Sequence, residues 1–132
     1  MMAISAGASI VVSIPGTAEA ADAGDPSILT IDSVGDVGER SSIAIDSKGY
    51  VHICYYDYDN GDLIWATNVS DSWAKWIIDT EGDVGYNPSI AIDSQDNVHI
   101  SYYDATNMDL DYATNVGGSW NRWIVDGDGD VG

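Results

Sequence analysis

A chain of 132 residues with a formal net charge of −18 has room for one ordinary domain or a few repeat units. Its only fixed cations are Arg40, Lys48, Lys75 and Arg122. Contacts to phosphate backbones need clustered Lys and Arg, so nucleic acid is excluded as a partner. Cys54 is the lone cysteine, which excludes an intrachain disulfide.

Residues 1–26 differ in composition from the rest. Ala3 to Ile14 is small and apolar, and Ala18-Glu19-Ala20 has the small-x-small form of a cleavage site, so the segment reads as a signal-peptide-like leader without the usual Lys or Arg ahead of it. The run is too short to span a bilayer and nothing later replaces it, so no membrane span is expected. A secreted or extracellular-surface location follows.

From Gly35 onward the chain repeats itself. Gly35-Asp36-Val37-Gly38 returns as Gly82-Asp83-Val84-Gly85 and again as Gly129-Asp130-Val131-Gly132, at a spacing of 47 residues both times. Aligning 35–81 with 82–128 needs no gap and gives 28 identities in 47 positions, a period that marks a repeat architecture. Residues 27–34 contain Leu29 to Asp32, which aligns with Trp76 to Asp79 and so is expected to be the outer strand of a preceding unit. Residues 129–132 would begin a further one.

Within a unit, four runs rich in β-branched and aromatic residues are separated by clusters of Gly, Asn, Asp and Ser, the pattern of an antiparallel meander. The first unit's strands are expected near Ser42 to Ile45, Val51 to Tyr56, Leu63 to Thr67 and Trp73 to Asp79. In the second strand neither alternating set, Val51-Ile53-Tyr55 or His52-Cys54-Tyr56, is predominantly charged, so both faces need cover. Stacking such sheets radially is the propeller solution. The expected fold is therefore all-β: two four-stranded antiparallel β-propeller blades in tandem, a partial propeller, with one preceding outer strand. Two blades cannot close a ring, so either a longer polypeptide or a homo-oligomer of several copies would complete it.

Ser-Ile-Ala-Ile-Asp-Ser at 42–47 and 89–94, Val-His-Ile-x-Tyr-Tyr-Asp at 51–57 and 98–104, and Ala-Thr-Asn-Val at 66–69 and 113–116 resemble the repeats of secreted microbial β-propeller proteins. These are related in look to the sialidase-like, Asp-box-containing propellers. The resemblance covers about Leu29 to Gly132 and implies architecture. The family's Asp-box turn, Ser-x-Asp-x-Gly-x-x-Trp, is here Ser70-Asp71-Ser72-Trp73 and Gly117-Gly118-Ser119-Trp120, which keeps the tryptophan and loses most of the box.

In a meander of this kind the second-to-third turn and the unit-to-unit connection emerge on one rim, where most of the spare acid gathers. Asp79, Glu81 and Asp83, and Asp126, Asp128 and Asp130, alternate oxygens on tight loops as a calcium ion needs, which makes calcium the candidate cofactor. The plainer alternative is solvated turns with Asp capping loop amides. Tyr58, Tyr50 and Tyr86 lack aromatic counterparts in the other unit and sit in or near turns; of these Tyr58 and Tyr86, with Asp59 and Asp62, are the candidate ligand-binding residues. His52 and His99 recur at one strand position and read as hydrogen-bonded packing residues. The repeated tryptophans and tyrosines read first as packing between units. Asn68-Val69-Ser70 is a glycosylation sequon on a turn.

No residues are assigned a catalytic role. The leading expectation is a non-catalytic binding module that recognises extracellular glycan or protein through its loops. The alternatives are a fragment of a sialidase-like glycoside hydrolase using two of the carboxylates, and a structural spacer of a surface protein. Fold alone does not choose among them.

Overall fold

The computed structural model describes residues 29–132 and the backbone of Glu19–Ala20; the rest of the leader-like segment lies outside the described residues. Glu19–Ala20 (β1), part of the cleavage-like triplet, pairs antiparallel with Leu29–Thr30 (β2). Val37–Ile45 (β3), Val51–Asp57 (β4), Asp62–Thr67 (β5) and Ala74–Asp79 (β6) form one four-stranded antiparallel sheet, sheet I. Val84–Ile92 (β7), Val98–Asp104 (β8), Asp109–Thr114 (β9) and Asn121–Asp126 (β10) form sheet II in the same order. The described residues are all-β, as the repeat pattern leads one to expect, and none of them forms a helix able to cross a membrane.

The first strand of each sheet starts earlier than its apolar run suggests. β3 begins at Val37 rather than Ser42, and its pairing with β4 shifts register between Val37 and Glu39 and again before Ser42. Gly38 and Arg40 take positive φ there, and Gly85 and Asn87 repeat the device in β7. Such bulges twist a strand and re-aim its side chains. The Gly-Asp-Val-Gly motif is thus a bulged strand entry as well as a connection.

Alternation along each strand divides the sheets into two faces. On sheet I, Cys54, Leu63 and Trp65 turn toward sheet II and meet Val84, Ile90, Val98, Ile100, Tyr102 and Ala113 in the main apolar cluster. The opposite face of sheet I carries Tyr55, Ile64 and Ala66, covered by Ile31, Val37, Ile53 and Trp73. β7 makes the junction, lying against β3, β4 and β5. Sheet II leaves its outward face open: His99, Tyr103 and Tyr112 are half-buried, Ser101 is exposed, and all of β10 is exposed.

Residues 31–34 stand to sheet I as the end of β6 stands to sheet II. The Tyr55 hydroxyl donates to Asp32 at 2.8 Å, and the Tyr102 hydroxyl to Asp79 at 2.7 Å. Lys75 pairs with Asp32 at 2.7 Å, and Arg122 pairs with Asp79. A second set runs from Tyr56 to Asp83 at 2.5 Å and from Tyr103 to Asp130 at 2.8 Å. Burial and the acceptor carboxylate push the Tyr55 and Tyr102 phenols far above their ordinary value. Each junction is therefore fastened by the same neutral-phenol-to-carboxylate bonds.

Most other acids close turns. Asp46 accepts from the amides of Lys48 and Tyr50, and Asp93 from those of Gln95 and Asn97. Asp57 and Asp104 take the amides two and three residues on, together with the side-chain amides of Asn60 and Asn107. Asp93 is held well below the usual carboxylate range by the Asn97 side chain and backbone. These are Asx-type turns, which explains why so many short acids recur in a chain with few cations.

The histidines are packing residues, as their repetition suggests. His52 lies 3.4 Å from Asp46 and stacks on Trp65 at 5.7 Å. His99 lies 3.2 Å from Asp93 and 2.5 Å from the Tyr112 hydroxyl. The sequon asparagine also helps to hold the turn in place. Asn68 Oδ1 accepts the Val51 amide at 2.7 Å, and Asn115, which has no sequon, does the same for Val98.

Cys54 is fully buried in the junction, and burial pushes its thiol up to about 12. The thiolate is the nucleophile, so folded protein is expected to leave a disulfide reagent such as Ellman's unreacted at pH 8 and to consume one equivalent after addition of guanidinium. Rapid labelling of the folded chain would contradict this burial.

Candidate functional site

The rim formed by the β4–β5 turn and the connection between the sheets holds a cleft of about 360 Å³. The turn is tied to both flanking connections: the Tyr58 amide donates to the Asp36 carbonyl at 2.9 Å, and the Val84 amide to the Gly61 carbonyl at 3.0 Å. Asp59 reaches back to accept the Asp36 amide at 3.0 Å. That approach needs a glycine beside it, since a Cβ on Gly35 would sit 2.5 Å from Asp59 Oδ2.

Three of the four sequence-derived ligand residues, Tyr58, Asp59 and Tyr86, line this cleft with Tyr56, Asn60 and Asp83. The Tyr56 and Tyr86 rings lie 4.1 Å apart at 31°, and Tyr58 meets Tyr56 edge-on at 6.1 Å. Asp83 accepts from the Tyr56 hydroxyl and, at 3.4 Å, from that of Tyr86. The Arg40 guanidinium stands 6.0 Å from the Tyr86 ring and donates to Asn87 at 2.6 Å. Tyr58 is 57% exposed, so the cleft offers an aromatic surface to solvent beside polar side chains that the Asp36 amide, the two phenols and Asp57 hold in place. Asp62 does not join it. It is buried opposite Asp57 in the β4–β5 ladder, where burial and the charges of Asp57 and Asp79 raise its pKa.

Five of the six candidate calcium ligands have other partners for their side chains, and Asp128 contributes only its backbone amide. Asp79 accepts from Tyr102 and the Glu81 amide and pairs with Arg122; Glu81 pairs with Arg122 at 3.0 Å. Asp83 and Asp130 serve the tyrosines, and Asp126 accepts the Asp128 amide at 3.1 Å. Among the described residues no three His, Cys, Asp or Glu side chains come together in a way that could hold a metal ion.

A second cleft, of about 210 Å³, opens between the end of sheet I and sheet II. Arg122, with Asp79 and Glu81 paired to it, lines this cleft together with Asp104, Asn107, Asp111 and Ile124. Its counterpart lies one repeat earlier, where Val34, Asp57, Asn60, Ile64, Lys75 and Ile77 occupy the equivalent places. The two differ where it matters: Ile64 has become Asp111 and Val34 has become Glu81.

Sequence reasoning missed Asp111, although Ile against Asp at one strand position of the alignment was a visible signal. Its side chain is 7% exposed and its Oδ1 has no hydrogen-bond partner. Burial, then Asp104, Asp79 and Asp109, push its pKa from 3.8 to about 6, with Arg122 opposing. A carboxyl whose folded value is raised stabilises the fold below its unfolded value and loses that contribution as pH rises through about 6. Asp111→Ile, which restores the residue of the other repeat, is therefore expected to raise neutral-pH stability. The full shift would correspond to about 3 kcal/mol; the open cleft admits water, so roughly 1–2 kcal/mol is expected. Thermal unfolding at pH 4 and pH 8 checks it, the gain over wild type appearing chiefly at pH 8.

Comparison with protein-family models and with curated proteins finds no match.

Proposed function

We propose that the two sheets are consecutive blades of a secreted or cell-surface β-propeller of the sialidase-like look, and that the chain acts as a non-catalytic module binding extracellular glycan at the aromatic rim cleft. The carrying observation is convergence. Tyr58 and Tyr86, two of the three tyrosines without an aromatic counterpart in the other unit, meet on one cleft with Tyr56 and with Asp59, Asn60 and Asp83. Sugar rings present apolar faces to aromatic side chains and hydroxyls to carboxylates and amides, and this cleft supplies both. The small apolar run and Ala18-Glu19-Ala20 support export.

The propeller reading is supported by the way sheet II covers sheet I. The face of sheet I that carries His52, Cys54 and Trp65 is buried by sheet II, and sheet II presents the same positions, His99, Ser101 and Tyr112, on its open side. A further blade, from a longer polypeptide or from another copy, would cover that side as sheet II covers its neighbour.

The test is a glycan array probed with the full chain, followed by Tyr58→Ala and Tyr86→Ala on whichever glycan is retained. Loss of an exposed stacking ring is expected to weaken binding by about tenfold for each variant while leaving thermal stability within roughly 1 kcal/mol for Tyr58→Ala. An array with no retained glycan, or retention indifferent to both tyrosines, overturns the reading.

A further inference from the structure

The cleft between the sheets has a feature its twin lacks, an anionic group enclosed without a partner. Asp111 Oδ1 is buried and accepts no hydrogen bond, and leaving a charged acceptor in that condition is costly unless something completes it. The other acids there are committed: Asp79 to Tyr102 and Arg122, and Asp104 to the amide of Thr106 and the amides of Asn107. Counting equivalent charged side chains, Asp79, Glu81, Asp104 and Asp111 against Arg122 leave −3, whereas Asp32 and Asp57 against Lys75 leave −1 in the twin. The second cleft is the more anionic by two charges, those of Asp111 and Glu81.

The kind of cation follows from what remains free. A calcium ion requires six to eight oxygens, and no three acids here converge on a point. Asp111 Oδ1 is closed off from the cleft, so the carboxylate does not present both oxygens side by side as a guanidinium fork calls for, and its one accessible edge suits the compact, three-donor ammonium. Acceptors for hydroxyl donors line the same cleft, the Asn107 side-chain carbonyl and the exposed Glu81, one of whose oxygens is held by Arg122, with Ile124, 64% exposed and cross-strand from Asp111, as an apolar surface.

We propose that the cleft between the sheets is a subsite for a 2-amino sugar with a free amine, its ammonium bound by Asp111, its hydroxyls by Asn107 and Glu81, and its ring face laid against Ile124. This rests on the glycan reading and names the sugar class for a position separate from the tyrosine rim. The groups facing Asp111 are Asp104 and Tyr102 on β8, Asp109 on its own strand, Arg122 on β10, and Asp79 and Glu81 from the end of sheet I. The field is dominated by carboxylates, so binding weakens as acid neutralises them.

Ligand-observed NMR and calorimetry on the full chain at pH 7.5, with glucosamine, N-acetylglucosamine, glucose and Nα-acetyl-lysine methylamide as probes, test it. Glucosamine is expected to bind, to weaken at least tenfold on N-acetylation or on loss of the amine, and to weaken at least tenfold in Asp111→Asn. That variant preserves shape, and its folding is verified by its thermal transition. Equal binding of glucose or N-acetylglucosamine overturns the ammonium assignment, and equal binding of the lysine amide overturns the sugar assignment. Calcium that binds and is lost in Asp111→Asn overturns both. If an array glycan depends on Tyr58 while glucosamine does not bind, this inference fails and the rim reading stands.

Discussion

Gly85→Ala is expected to destabilise the protein by roughly 3–5 kcal/mol, whereas Gly38→Ala, the same change at the same repeat position, costs about 1–2 kcal/mol. Both glycines hold positive φ, +100° at Gly85 and +87° at Gly38, so a side chain is strained at either. They differ in what lies beyond. A Cβ on Gly38 meets nothing within 4 Å, while one on Gly85 would sit 2.8 Å from Leu63 Cα and 3.0 Å from its amide nitrogen. Backbone cannot swing aside as a side-chain end can, so β7 would have to lift from β5 and open the apolar cluster in which Leu63 and Val84 are fully enclosed. Urea unfolding of the two variants beside wild type isolates the contact between sheets as the difference between them. Equal losses would mean that the sheets do not approach so closely.

The second large effect is expected at Asp79. Asp79→Ala removes the acceptor of the Tyr102 hydroxyl, the partner of Arg122 and the cap of the Glu81 amide in one step, at a position 2% exposed. Breaking a buried ion pair by deleting one member costs about 3–5 kcal/mol. Arg122 is one-third exposed and keeps Glu81, so about 2–4 kcal/mol is expected here. Asp79→Asn retains an oxygen for Tyr102 and should recover part of the loss. In a double-mutant cycle with Tyr102→Phe, the coupling should be on the order of 1–2 kcal/mol. No coupling would show that the phenol and the carboxylate are not bonded.

The repeat made the sheets readable because alternation and turn chemistry are local properties, and two copies of each strand confirmed one another. Val51-His52-Ile53 and Val98-His99-Ile100 needed no tertiary information to be placed. The starts of β3 and β7 were less accessible: a bulge spreads Val37 to Arg40 over positions that do not alternate, so the apolar pattern begins only at Ser42. The acids were hardest. Asp79, Asp83 and Asp130 looked like solvated loop residues or calcium ligands because their phenol partners lie 23 or 27 residues away. That spacing recurs in both units and was the available clue. Tyr58, Asp59 and Tyr86 could be grouped because a meander sends their turns to one rim, whereas Asp62 followed its strand into the ladder. Asp111 was hidden by composition: one more carboxylate in a chain of this charge carries no message until packing encloses it.

The paired phenols and carboxylates also bear on how such a protein lengthens. Each 47-residue segment brings a tyrosine pair that reaches backward and forward and the aspartates that its neighbours require. A whole segment inserted by unequal crossing-over finds its bonding partners ready at both borders, while a partial insertion strands a donor on one side and an acceptor on the other. Gene variants should therefore differ from one another by entire modules.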